Sequence, residues 1–147
     1  MIAQTIQLSL APVFVLVALG HILNTLSARL SRVVDRSREL VEHHQATSGK
    51  EHAEVVWQIR LTDKRIALIG QSIRAMVLSG LCTGATVAIL FLEEIAGVDL
   101  QNVAGAIFLI AIGLLMWGLI LFLRETQVAA SSLRVPRELL ELDEEGE

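Results

Sequence analysis

The side chains with the most chemical potential in this chain lie inside uncharged, apolar runs of sequence. They are His21 and Asn24 in the first run and Ser79, Thr83 and Thr86 in the second. An imidazole near a row of hydroxyl groups could relay protons or hold an ion. The same groups also serve to bond one apolar helix to another. We expect interhelical bonding and keep proton or ion transfer as the alternative.

Three uncharged runs determine the class of protein. They cover residues 6–28, 75–92 and 103–123, in a chain that is 53% hydrophobic, 4% aromatic and has a mean hydropathy of +0.59. About 20 apolar residues suffice for a helix to cross the hydrocarbon core. We expect no cleaved signal peptide in the first run, because nothing basic precedes it and residues 26–28 are a poor cleavage context. The sequence therefore predicts an all-α integral membrane protein with three transmembrane helices.

Lysine and arginine are distributed unevenly between the two sides of the predicted membrane. Nine lie between the first and second runs, none between the second and third, and three after the third. Basic residues hold their segment on the cytoplasmic side. We therefore expect a multi-pass membrane protein with its N-terminus outside and its C-terminus in the cytoplasm.

The segment 29–74 between the first two spans has the pattern of a helical hairpin. A polar turn signal with Gly49 lies at 46–50, and apolar positions from Val55 to Ile73 recur at alternating steps of four and three, as in a coiled coil. We expect an antiparallel cytoplasmic hairpin that extends helices 1 and 2. Residues 1–125 then form one membrane domain, and 126–147 form an acidic cytoplasmic tail.

Charged residues form a collar around the exit of the first span. Its members are Arg29, Arg32, Asp35, Arg36, Arg38, Asp63 and Arg74. Helical spacing lets several of them pair within one helix, and antiparallel pairing predicts that Asp63 faces Arg38 and that Lys64 or Arg65 lies near Asp35. The collar could be a solvated salt-bridge network, a binding surface for anionic lipid, or a ring of charge between subunits at a pore mouth.

Antiparallel pairing also predicts contacts inside the membrane. If Ala28 and Arg74 mark one membrane boundary, Asn24 lies near Ser79, and His21 lies near Cys82 and Thr83.

Small residues mark a surface where helices can approach closely. They are Gly80, Gly84 and Ala88 in the second span and Gly105 and Gly113 in the third. Small residues at every fourth position let helix backbones meet in a membrane. We expect tight packing through these positions, either within one chain or between chains.

Several classes of function lack their sequence signatures. No P-loop, nucleophile elbow, zinc-protease or dinucleotide-binding motif occurs, so we expect neither an enzyme nor a cofactor. The formal net charge of −4 gives no support for nucleic-acid binding. His43, His44 and His52 surround the turn of the hairpin, but their spacing lacks a metal-binding signature, and we expect no metal there.

The motif at the exit of the first span resembles that of a known family. Leu10-Ala-Pro12, then Asn24, then Arg29-x-x-Arg32-x-x-Asp35-Arg36-x-Arg38 is similar to the domain-of-unknown-function 2721 family of bacterial membrane proteins. The resemblance covers about residues 6–125 and implies a small three-span inner-membrane protein. It implies no catalytic residues.

A second resemblance concerns architecture only. The arrangement of spans is similar to that of ExbB- and TolQ-type motor subunits, but this chain has no carboxylate within its three spans.

These observations favour a non-enzymatic membrane protein that self-associates into a homo-oligomeric scaffold or a small pore. Its expected partners are the lipid bilayer, further copies of itself and anionic lipid at the arginine collar. One alternative is an ion- or proton-coupled transport component that uses His21 and the hydroxyl stripe of the second span, which consists of Ser72, Ser79, Thr83 and Thr86. Another is an accessory subunit whose hairpin docks onto a larger membrane complex.

Overall fold

Three long helices make up the described part of the chain. The computed structural model describes residues 2–46 and 50–131, with side chains for 5–42, 52 and 55–130. Helix α1 is Ile2–Ala46, α2 is Lys50–Ala96 and α3 is Gln101–Ser131. All three are long and apolar enough to cross a membrane. The predicted all-α fold, with three helices that are long and apolar enough to span a membrane, is therefore confirmed.

Helices α1 and α2 are much longer than a bilayer core requires. They contain 45 and 47 residues, so each is about 70 Å long, against a hydrocarbon core of about 30 Å. Each apolar span therefore continues into its charged extension as one helix, without a break. Pro12 lies inside α1, near its apolar end.

Helix α2 is the central helix of the fold, and it packs against both α1 and α3. Buried residues on α1 recur every seven positions, at Leu19, Leu26, Val33 and Leu40. Ile69 and Met76 on α2 complete the apolar core with the same spacing. A seven-residue period keeps one face of a helix against its neighbour over many turns. The core is therefore a stripe that follows one face of α1 from Leu19 to Leu40.

A short turn joins α2 to α3. Gly97 follows the last residue of α2 with a φ of +68°, and its N–H donates to the carbonyl of Glu93 at 3.0 Å. This left-handed cap is a conformation that favours glycine. The carboxylate of Asp99 then accepts the backbone N–H of Gln101 at 3.2 Å, where α3 begins. Helix α3 continues to Ser131, beyond the apolar run predicted to end at residue 123.

Candidate functional site

One buried carboxylate connects all three helices. Glu125 on α3 is fully buried, and its Oε1 accepts a hydrogen bond from Arg65 Nε of α2 at 2.9 Å. Its Oε2 lies 3.2 Å from Arg29 Nη2 of α1. A charge in this position must be paired, because burial removes its hydration. We call Glu125, Arg29 and Arg65 the Glu125 clamp.

An aromatic ring of α3 contacts one arginine of the clamp. Phe122 lies almost one turn before Glu125 on α3, and the Arg29 guanidinium carbon lies 5.2 Å from the centre of its ring. This is within the range of a cation–π contact. Arg29 is the first charged residue after the apolar run of α1, and Glu125 lies two residues after the run of α3, so the clamp forms where these two runs end. It fixes the relative height and rotation of the helices at this end, which we call the arginine end.

A row of polar contacts continues from the clamp along α2 and α3. Ser72 donates its hydroxyl to the carbonyl of Gly118 at 2.7 Å, and Ser79 donates to the carbonyl of Ala111 at 2.7 Å. Moving seven residues along α2 is matched by moving seven residues back along α3, as antiparallel helices require. Both hydroxyls are fully buried. The two serines therefore make the interhelical bonds that we predicted for the stripe, whereas its two threonines do not.

Small residues on α3 allow these hydroxyls to reach its backbone. Ala104, Ala111 and Gly118 are buried at seven-residue spacing, and Glu125 is the next member of the same row. A Cβ atom at Gly118 would lie 3.0 Å from Met76 Cε and 3.2 Å from its Cγ. Gly118 is thus the point where α3 approaches α2 most tightly among the described glycines.

The remaining threonines of the stripe bond to their own helix. Thr83 donates to the carbonyl of Ser79 at 2.8 Å, and Thr86 donates to that of Cys82 at 3.0 Å. Their hydroxyl groups already have acceptors, so they need none from another helix.

The predicted contacts of His21 and Asn24 with the stripe were wrong. Both side chains are exposed on α1, and neither makes a hydrogen bond within the described residues. Leu19 takes their place against α2, with Cδ1 3.8 Å from the position of a Cβ at Gly80. The reason is the rotation of α1: residues two and five positions after Leu19 lie on other faces of the helix.

Most of the small residues predicted to lie at tight helix contacts are not in such contacts within one chain. Gly80 faces α1, while Gly84, Gly105 and Gly113 have no neighbouring atom within 4 Å of an added Cβ. Ala88 is exposed. Gly105 and Gly113 lie one and two residues after a buried alanine of α3, so they are rotated away from α2. A role for these positions between chains stays a prediction.

The charged collar forms one exposed ion pair in the described part of the chain. Arg36 Nη1 lies 2.7 Å from Glu39 Oε2. Arg65 binds the buried Glu125, while the expected nearness of Lys64 or Arg65 to Asp35 stays a prediction. A buried carboxylate attracts a guanidinium more strongly than an exposed one, since water screens the exposed charge. The other collar residues are exposed: Arg32, Asp35, Arg38, Asp63 and Arg74.

The sequence analysis did not predict two of the residues that α3 contributes to the site, Gly118 and Glu125. It treated Arg124 as the end of the third span and did not use Glu125 or Gly118. The available signal was the seven-residue row of small residues that leads to Glu125. The side chains of His43 and His44, and the tail beyond residue 131, lie outside the described residues.

Comparison with known protein families gives the same family that the motif at the exit of the first span resembles. A family model described as a protein of unknown function (DUF2721) matches residues 9–135. No curated protein and no solved structure matches the chain. The matched range contains the whole Glu125 clamp and the arginine motif. The chain therefore belongs to the DUF2721 family.

Proposed function

We propose that this protein is a non-enzymatic, homo-oligomeric scaffold of the bacterial inner membrane, with its arginine end in the cytoplasm. The observation that carries the proposal is Asn24. This amide lies in an uncharged run of α1, is exposed, and makes no hydrogen bond within the described residues. A polar group without a partner in hydrocarbon costs several kcal/mol, so the amide needs a partner from outside the chain.

Asn24 belongs to a second seam on α1, on a face rotated away from the apolar core. The seam consists of Gly20, Asn24, Ser27 and Ser31, at steps of four, three and four, and all four residues are exposed. Their side chains are small or polar, which allows a second helix to approach closely and bond across the contact. The spacing is that of a packed helix pair. His21 lies beside this seam and is also exposed.

A second copy of the chain is the partner that best fits this seam. All copies insert in the same orientation, so identical residues meet at the same depth when two α1 helices pack in parallel. An asparagine amide carries both a donor and an acceptor, and two such amides can satisfy each other. Symmetric contacts of this kind are the commonest basis of homo-oligomers.

The polar contacts inside the chain support a scaffold more than a transport component. The hydroxyl groups of Ser72 and Ser79 are buried and bonded to the backbone of α3. Those of Thr83 and Thr86 are bonded to their own helix. Among the described residues, the hydroxyls of this stripe already have acceptors, which favours a structural role over a proton pathway from His21.

The test is self-association of the full-length protein in lipid bilayers. Energy transfer between two fluorescently labelled populations, measured over a range of protein-to-lipid ratios, gives the association constant. One interhelical bond contributes about 0.6–2 kcal/mol, so Asn24→Leu should weaken association about 3- to 30-fold. Asn102→Leu is the matched control, because Asn102 is exposed at the start of α3, away from the seam.

The two outcomes are clearly different. Association that weakens in Asn24→Leu and not in Asn102→Leu supports the seam as the interface. A wild-type protein that stays monomeric at all ratios would overturn the scaffold and leave the accessory-subunit alternative, with α1 covered by a different protein.

A further inference from the structure

A pocket lined by arginines opens between α1 and α2 at the arginine end. Its volume is about 430 Å³, and its lining residues are Thr25, Arg29, Arg32, Val33 and Arg65. Two of these arginines belong to the Glu125 clamp. The third, Arg32, is exposed one turn further along α1. The pocket thus brings together three guanidinium groups from two helices.

The charge around this pocket is not balanced within the described residues. Glu125 accepts a hydrogen bond from Arg65 and forms an ion pair with Arg29, and it supplies one negative charge for these two positive ones. Arg32 has no ion pair there, and its Nε donates to the carbonyl of Ala28 at 3.4 Å. Three guanidinium groups and one carboxylate leave a formal charge of +2 beside the pocket.

The clamp also leaves donors free and holds them in place. A guanidinium has five N–H donors. Arg65 uses Nε for its hydrogen bond to Glu125, and Arg29 directs Nη2 towards the other carboxylate oxygen. Their side chains are 24% and 26% exposed, so part of each reaches the open pocket. Because Glu125 and Phe122 fix these groups in advance, a ligand would not need to order them.

The ligand chemistry follows from charge, geometry and depth. Planar guanidinium groups recognise phosphate through paired N–H donors. The pocket lies where the uncharged run of α1 ends, at the level at which phospholipid headgroups would surround the helices, and basic pockets between transmembrane helices bind such headgroups. We propose that this pocket is a binding site for a phosphate-bearing anion, supplied either by an anionic phospholipid headgroup or by free phosphate. The proposal does not depend on self-association.

The test compares Arg32→Gln with Arg38→Gln in the full-length protein. Both changes remove one positive charge from the exposed side of α1, but only Arg32 lines the pocket. Neither residue belongs to the clamp, so both variants should keep the fold. In nanodiscs containing phosphatidylcholine and phosphatidylglycerol, native mass spectrometry counts the lipid that stays bound. In nanodiscs of phosphatidylcholine alone, the rise in unfolding temperature measures binding of inorganic phosphate.

Loss of the Arg32 contact should weaken anion binding about tenfold, while Arg38→Gln should stay within about twofold of wild type. If this difference appears with phosphatidylglycerol, the ligand is a lipid headgroup. If it appears with inorganic phosphate alone, the ligand is a free anion. Equal binding by wild type and both variants in both assays would overturn the proposal. Equal losses in the two variants would also overturn it, because they would show a general effect of surface charge.

Discussion

Neutralising Glu125 is the most direct test of how the three helices are held together. Glu125→Gln keeps the size of the side chain and removes its charge. Arg65 could still donate to the remaining carbonyl oxygen, but the attraction of both guanidinium groups is lost. The apolar core of α1 and α2, centred on Leu26 and Ile69, is untouched by this change. Any destabilisation therefore reports the clamp rather than packing elsewhere.

The size of the effect follows from the burial of the three groups. Removing one partner of a buried ion pair typically costs about 3–5 kcal/mol, because the other charge is left without compensation. Here Arg29 and Arg65 are 26% and 24% exposed, so they can recover part of their hydration once the carboxylate is gone. We therefore expect a lower cost for Glu125→Gln, about 2–3 kcal/mol.

The assay is equilibrium unfolding of the detergent-solubilised protein, followed by tryptophan fluorescence. Glu39→Gln is the matched control, since Glu39 makes an exposed pair with Arg36 and its loss should cost about 0.5 kcal/mol or less. Adding Arg65→Gln to Glu125→Gln completes a double-mutant cycle, in which we expect a coupling energy of about 1–3 kcal/mol. A cost for Glu125→Gln no larger than that of Glu39→Gln, with no coupling to Arg65, would refute the clamp.

Two further predictions concern glycines and use the same unfolding assay. Gly118→Ala should destabilise the protein by about 1 kcal/mol or more, because its Cβ would lie 3.0 Å from Met76 Cε. Gly113→Ala is the control: its Cβ would lie in open space, so it should stabilise α3 by up to about 1 kcal/mol. Equal effects of the two changes would argue against tight α2–α3 packing at Gly118. Gly97→Ala should cost about 1–2 kcal/mol, since a φ of +68° strains a residue with a Cβ, and an unchanged stability would contradict the left-handed cap of α2.

Some features of the fold depend only on local sequence and could be predicted without coordinates. The three apolar runs predict three helices because a backbone in hydrocarbon must bond to itself. The absence of a helix breaker between the hairpin and the second span predicts the single long helix α2. The interhelical role of Ser79 was also predicted, because a hydroxyl in an apolar helix needs an acceptor. Glu125 and Gly118 were not predicted, since neither residue stands out by type in its own segment.

What only the tertiary structure decided is which polar groups meet. Successive side chains of an α-helix point about 100° apart around its axis. Whether a side chain faces another helix or the outside therefore depends on how core packing rotates the whole helix about that axis. That rotation places Leu19 against α2 and leaves His21 exposed, although the two residues are close in sequence. It also brings Glu125 between Arg29 and Arg65, which are 36 residues apart in the chain and on different helices. The sequence by itself determined the helices and their apolar, membrane-spanning character. The contacts between the helices also depend on the rotation of each helix about its axis and on its position along that axis, and these are set for all three helices together.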